Sequence, residues 1–214
     1  MVYGETLTRL NPCDPQMIAH LLGLLVGPGA HVADVGCGRG VTLAWLSKHT
    51  GYALFGAEPE RGLYDEAHEN CPEAVIARAA ADDLPFADQG FDAVLMECVF
   101  SLLDSPEAAA KEISRITRRQ GALLLTDLFT QAEEDIDVEK SDLLRYIYTK
   151  QSVETFFENS GFVLDQFIDR TADIQTMIAQ MIMDGAGGDF LSDETRRLLR
   201  QAKAGYGIWI FQKR

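Results

Sequence analysis

The chain lacks any run of about 18 uninterrupted apolar residues, and its N-terminus lacks the basic-then-apolar order of a secretory leader. It is therefore expected to be cytoplasmic and to have no membrane partner. Cysteine is sparse. The four residues Cys13, Cys37, Cys71 and Cys98 show no CxxC spacing, which argues against a structural zinc or a disulfide framework. Each reads as a free buried thiol, and no metal is expected. Positive charge is scarce too: 19 Lys and Arg stand against 33 Asp and Glu, for a net charge of -14. Nucleic-acid binders draw affinity from neutralised phosphates, so a tRNA or DNA partner is not expected. The local basic group Arg115, Arg118 and Arg119 reads as a solvated helix end, where cations suit the dipole. The histidines, His20, His31, His49 and His68, are scattered, and none is placed as a base.

At 214 residues and 47% hydrophobic content, the chain fits one α/β domain with a small appendage. Its most informative stretch is Val32-Ala33-Asp34-Val35-Gly36-Cys37-Gly38-Arg39-Gly40, an apolar run that stops in three closely spaced glycines before the helical-looking 41–48. That order is strand, tight turn, helix start. Glycine tolerates φ > 0 and lets a ligand lie on the backbone, with the first N–H groups of the helix pointing at it. The spacing is GxGxG, with Val41 where the dinucleotide fingerprint has its last glycine. A second apolar run, 52–57, ends in Glu58, where a carboxylate can accept from both hydroxyls of a ribose.

In chain order, residues 1–15 read as an irregular lead-in, from which Tyr3 or Arg9 could reach a ligand. A helix follows from residue 16, with Ile18, Leu21, Leu22 and Leu25 at helical spacing and a stop at Gly27-Pro28-Gly29. Strands are expected at 31–35, 52–57, 75–80, 91–96, 122–127, 162–168 and 206–212, and helices at 41–48, 61–70, 105–117 and 150–160. Ser105 and Pro106 supply an N-cap and an N1 proline for the third of these helices. The acidic run 133–137 reads as a solvated loop. The long connection before the last strand carries Met177, Ile178, Met181 and Ile182 at helical spacing, a glycine-rich break at 185–188 and a second helix at 193–204. It is expected to be a two-helix insertion.

This alternation predicts a Rossmann-like, doubly wound, mostly parallel seven-stranded sheet whose ligand sits at the C-terminal strand ends beside a switch point. The expected division is a lid and helix at 1–27, a binding core at 28–170, the helical insertion at 171–204 and a closing strand at 205–214.

The glycine loop and Glu58, followed in order by Ala81-Asp82-Asp83-Leu84-Pro85-Phe86, Gly90-Phe91-Asp92-Ala93-Val94 and Gly121-Ala122-Leu123-Leu124-Leu125-Thr126-Asp127, resemble the class I S-adenosylmethionine-dependent methyltransferases over residues 28–165. Within that family the branch resembled is that of ubiquinone-biosynthesis and arsenite methyltransferases. The resemblance implies an antiparallel last strand and S-adenosylmethionine as cofactor. It implies that Gly36, Cys37 and Gly38 line the methionine moiety and that Asp34 orients the loop or the cofactor's amino group. Glu58 holds the ribose, and Ala81, Asp82 and Leu84 surround the adenine; Pro59 and Glu97 complete the expected set. Relatives commonly carry an Asp where this chain has Ala80.

Methyl transfer from a sulfonium needs alignment more than acid–base help, so catalytic residues need not show in the sequence. The expected acceptor is a small molecule and the expected state a monomer or homodimer. Two alternatives remain. Glu97-Cys98-Val99 resembles the Asn-Cys-Val turn of arsenite methyltransferases, which implies metalloid binding at Cys98 with Cys13 as a second thiolate. The other is an accessory protein that binds S-adenosylmethionine without turnover.

Overall fold

The computed structural model describes residues 13–138, 144–176 and 193–214. Tyr3, Arg9, the 177–182 stripe and the 185–188 break lie outside them.

Helix α1, Pro15–Leu25, opens on Asp14, whose Oδ1 accepts from the Met17 N–H at 2.7 Å, with Pro15 at N1. Its buried residues Ile18, Leu21 and Leu22 face the sheet. There follow β1 (His31–Val35), α2 (Val41–His49), β2 (Ala53–Ala57), α3 (Arg61–Asn70), β3 (Val75–Ala77), β4 (Phe91–Glu97), a 3-10 turn Phe100–Leu102, α4 (Pro106–Ile116) and β5 (Thr117–Thr130). A short hairpin pairs β6 (Ile136–Asp137) with β7 (Tyr146–Ile147). Then come α5 (Lys150–Asn159), β8 (Phe162–Asp169), α6 (Asp193–Gln201) and β9 (Ala204–Lys213).

The seven-stranded sheet has the order β3-β2-β1-β4-β5-β9-β8, and β9 runs antiparallel to both its neighbours. Because helices cover both faces, strands β1 and β4 are buried nearly end to end, as parallel central strands require. One apolar layer joins α1, α2 and α3 to the sheet through Leu22, Leu43, Leu46 and Ala67; the other joins α4 and α5 through Ala110, Ile113, Val153 and Phe157. The expected doubly wound architecture is present. Chain order reverses between β1 and β4, which places a crevice at their C-terminal ends.

Two expectations change. The acidic run is not simply a loop, since Ile136 and Asp137 pair with Ile147 and Tyr146, and Asp135 accepts from the Thr149 N–H at 2.6 Å. Arg115, Arg118 and Arg119 are not a solvated helix end either. Helix α4 stops at Ile116, and Arg118 and Arg119 fall on β5, where the register shifts so that Phe91 pairs Thr117 but Ala93 pairs Ala122. Arg118 ion-pairs Asp92, and the cation on the last carbonyls of α4 is Lys213 of β9, bonded to Ser114 and Thr117.

Candidate functional site

Three segments meet at the crevice. The first is the glycine loop, in which Gly36, Gly38 and Gly40 take φ of 78°, 54° and 70°. A methyl on Gly36 would stand 2.4 Å from Cγ2 of Val99, so only glycine lets the loop pass beside the turn after β4. A methyl on Gly40 would stand 3.1 Å from the Ala67 Cα, so this glycine sets how closely α2 approaches α3. Helix α2 begins with no side-chain cap and no acid in its first turn, so the positive end of its dipole faces the loop.

The second segment is the end of β2. Glu58, 6% exposed, accepts from the Gly38 N–H at 3.0 Å and the Glu60 N–H at 2.9 Å, tying the loop to β2. Burial raises its carboxyl above the ordinary range against those two hydrogen bonds. Beside it Asp34 is 2% exposed, and its Oδ1 is buried with no partner. Burial first, then the charges of Glu97 and Glu58, pushes its carboxyl well above the usual value. A buried carboxylate oxygen with no donor is costly, and a ligand ammonium is the group that relieves it.

Cys37 contributes backbone only. Its side chain packs inward beside Gly56, and its N–H is spent on the Ala57 carbonyl.

The third segment closes a cleft of about 200 Å³. Gly36, Pro59, Ala81 and Asp82 line it as expected, together with Val99, Leu102, Leu103 and Ser105. Val99, Leu102 and Leu103 escape sequence reading because they look like ordinary core residues, and Ser105 because it reads as a helix N-cap. Leu84 does not line the cleft. It is buried, and its N–H and carbonyl are held by Glu112 (2.9 Å) and Arg115 (2.9 Å). Arg115 also holds the Phe86 carbonyl at 2.7 Å and Asp88 at 2.8 Å, so the Leu84-Pro85-Phe86 loop is pinned to α4.

The Val99–Leu103 wall is pinned from beneath by Asp127 of β5. Its carboxylate accepts from the Ser101 N–H and hydroxyl, both at 2.8 Å, and from the Leu128 N–H at 2.7 Å. Burial raises Asp127 to about 6 despite these bonds. The hairpin adds a second clamp, with the Arg145 N–H on the Ser101 carbonyl at 2.9 Å and its Nε on Asp104 at 3.1 Å.

Farther along the edge, Cys98 takes φ 54° and lies 3.2 Å from the Tyr206 hydroxyl, which donates to Thr126 Oγ1 at 2.8 Å. Cys13, just before α1, reaches the same hydroxyl; burial and then Glu97 push its thiol up to about 12. The Cys98 thiol is likewise raised, by burial and then Asp127.

Residues 33–125 match the family described as the methyltransferase domain. That segment is similar to a methyltransferase domain. It runs from within β1 into β5 and includes every expected cofactor residue. The chain is 30% identical over 118 residues to the methyltransferase GfsG of Streptomyces halstedii, covering 51% of this chain and 42% of that protein. It is 25% identical over 170 residues to a phosphatidylethanolamine N-methyltransferase of Cereibacter sphaeroides, covering 76% and 77%. The chain spans less than half the length of several of the curated relatives it matches. In fold it is similar to the geranyl diphosphate C-methyltransferase of Streptomyces coelicolor A3(2), with a TM-score of 0.75 at 13% identity, over 93% of this chain and 77% of that one.

That structure holds S-adenosyl-L-homocysteine, and the residues on the present edge fit S-adenosylmethionine. Asp34 offers an unpartnered carboxylate oxygen for the amino group, and Glu58 offers a carboxylate for the ribose diol. The slot of Ala81, Val99, Leu102 and Leu103 offers flat apolar walls for a base.

Proposed function

We propose that this chain is an S-adenosylmethionine-dependent methyltransferase acting on a small molecule. The observation that carries the reading is Asp34 Oδ1, a buried and unpartnered carboxylate oxygen beside a positive-φ glycine loop, with the ribose-type acid Glu58 next to it. The cofactor supplies a methyl group on a positively charged sulfur, a good leaving group. The chain's task is then orientation and exclusion of water. Asp34 would hold the amino group and Glu58 the ribose hydroxyls, with Gly36 and Gly38 giving the backbone close approach. Asp82 and the Val99–Leu103 wall would enclose the adenine, and Pro59 would close the ribose side. The reading is tested by incubating the protein with methyl-labelled S-adenosylmethionine and an extract of small molecules. Label is expected in a low-molecular-mass product with wild type and to fall at least tenfold with Glu58→Ala; no transfer to any fraction would leave a cofactor-binding protein without turnover.

A second reading is favoured by one observation, the convergence of Cys13 and Cys98 on Tyr206. Two thiols at one point are a start toward a soft metalloid site, which takes several sulfur donors. Among the described residues no group of three or more His, Cys, Asp or Glu is arranged to hold a metal ion. Thiol-dependent binding of trivalent arsenic, lost on Cys98→Ser and on Cys13→Ser, would establish it.

A further inference from the structure

Strand β5 is buried without a break from Gly121 to Thr130, so its C-terminal half carries polar side chains into the interior. Thr126, Asp127 and Thr130 are each exposed by 2% or less, and of the three only Asp127 ionises. On its sheet side β9 places Gly207 opposite, which offers the acid no side chain. On the other side stands the 3-10 turn that carries Leu102 into the wall of the cofactor cleft. Asp127 therefore joins a central strand to the part of the cleft that is otherwise apolar.

The groups bonded to Asp127 are all donors. Oδ2 accepts from the Ser101 N–H, and Oδ1 from the Ser101 hydroxyl and the Leu128 N–H. That set suits a carboxylate and opposes a carboxylic acid, because a proton on either oxygen meets a donor already in place. On Oδ1 it would reverse the Ser101 hydroxyl, which is 2% exposed and would then need a second acceptor in a buried place. The bonds left would pass from charge-assisted to neutral, at roughly half the strength. Burial opposes the donors and brings the titration of this carboxyl to about 6.

The titratable neighbours on the surrounding elements do not take this proton. Cys98 at the end of β4 and Tyr148 after β7 both feel the Asp127 charge, and burial is the first cause that keeps them protonated. Tyr206 of β9 is kept protonated by burial as well. Glu97 bears on Cys98, while Tyr146, Glu107 of α4 and Asp135 bear on Tyr148. The cation in this network is Arg145, whose Nε is held by Asp104 and whose backbone N–H stays on the Ser101 carbonyl at any pH. An acid form of Asp127 thus leaves one of two clamps in place, and the wall loosens without coming free.

We propose that Asp127 is a positioning residue whose charge sets how tightly the cleft holds the cofactor: the carboxylate seats the Val99–Leu103 wall, and uptake of one proton slackens it. This rests on the methyltransferase reading and adds to it a regulation by pH. Cofactor seated against the wall favours the arrangement in which every donor to Asp127 is engaged. The bound protein then holds this proton less tightly than the empty one, binding releases it to water, and affinity falls as pH falls through about 6. Asp34 and Glu58 are raised carboxyls of the same site, so the share that belongs to Asp127 is read as a difference between variants.

The test is calorimetric titration of the full chain with S-adenosylhomocysteine from about pH 7.5 down to about pH 5, on wild type, Asp127→Asn and Ser101→Ala, with circular dichroism at each pH to confirm folding. Asp127→Asn is expected to bind about fivefold or more weakly than wild type at the upper end and within about twofold of it at the lower end. Ser101→Ala keeps the acid and removes one donor to its charged form, so the midpoint of the loss is expected to move to higher pH. A ratio of wild-type to Asp127→Asn affinity that is the same at both ends, or a Ser101→Ala midpoint that stays or moves down, would overturn the proposal. Should Asp127→Asn fail to fold, the Ser101→Ala midpoint decides alone. Failure of folded wild type to bind S-adenosylhomocysteine at the upper end would instead overturn the methyltransferase reading beneath it.

Discussion

Asp34→Asn is expected to stabilise the empty protein and weaken its cofactor site at the same time. Asp34 is almost fully buried, one of its oxygens has no partner, and Glu97 and Glu58 repel its charge. The folded-state pKa is raised above the ordinary aspartate value of 3.8, so the folded protein binds this proton more tightly than the unfolded chain. Asp34 therefore favours folding below about 3.8, and that contribution is lost as pH rises through its higher folded value. At pH 7 the group weakens the fold. Asparagine keeps the shape, cannot ionise and can donate to the neighbouring carboxylates. Relieving an unsatisfied buried polar group is worth about 1–3 kcal/mol, and at this chain length each kcal/mol moves Tm by about 2–4 °C. Without ligand at pH 7 the variant should melt roughly 2–12 °C above wild type, with the gain shrinking at acid pH. Losing a charge-assisted hydrogen bond of about 1.5–3 kcal/mol should weaken S-adenosylmethionine binding by roughly 10- to 150-fold. Thermal melts across pH with calorimetric titration read both quantities. A ligand-free variant that melts below wild type at pH 7, or binds the cofactor as tightly, would refute the reasoning.

Gly36→Ala combines left-handed backbone strain of about 1–2 kcal/mol with a methyl driven against Val99. Overpacking costs about 1–3 kcal/mol, and adding Val99→Ala should recover the packing part but not the strain, which urea melts of the double-mutant cycle would separate. Asp127→Asn turns an amide NH2 toward a Ser101 donor and should cost about 1–3 kcal/mol, with weaker cofactor binding because the Val99–Leu103 wall loosens; unchanged stability and affinity would contradict the clamp. Arg115→Ala should release the Leu84-Pro85-Phe86 loop, raising hydrogen exchange at Leu84 and its neighbours well before β1 or β4 is affected.

The parts of the fold legible in the sequence were those whose signal is local. The run before Gly36, the glycines themselves, Glu58 closing a second apolar run, and the alternation of strand and helix each follow from neighbours within about a dozen residues. What escaped depends on residues far apart in the chain. Lys213 replaces the arginines at the end of α4 because β9 folds back beside it, which nothing near Ile116 announces. The β6–β7 hairpin is two residues deep and its first strand sits in an acidic run, so it offers no periodicity to read. At the site the apolar wall was not legible, since Val99, Leu102 and Leu103 look like any core segment until Asp127 and Arg145 are seen to hold them over the glycine loop. The meeting of Cys13, Cys98 and Tyr206 likewise needs both ends of the chain in place.

The central claim is that the edge formed by Asp34, the glycine loop and Glu58 binds S-adenosylmethionine. Calorimetric titration of the purified protein with S-adenosylmethionine and S-adenosylhomocysteine, repeated on Glu58→Ala, tests it directly. Micromolar binding of both, weakened at least tenfold by the substitution, about 1.4 kcal/mol or more, is the predicted result. Folded wild-type protein that binds neither ligand, or a Glu58→Ala variant that binds them as tightly as wild type, would contradict it.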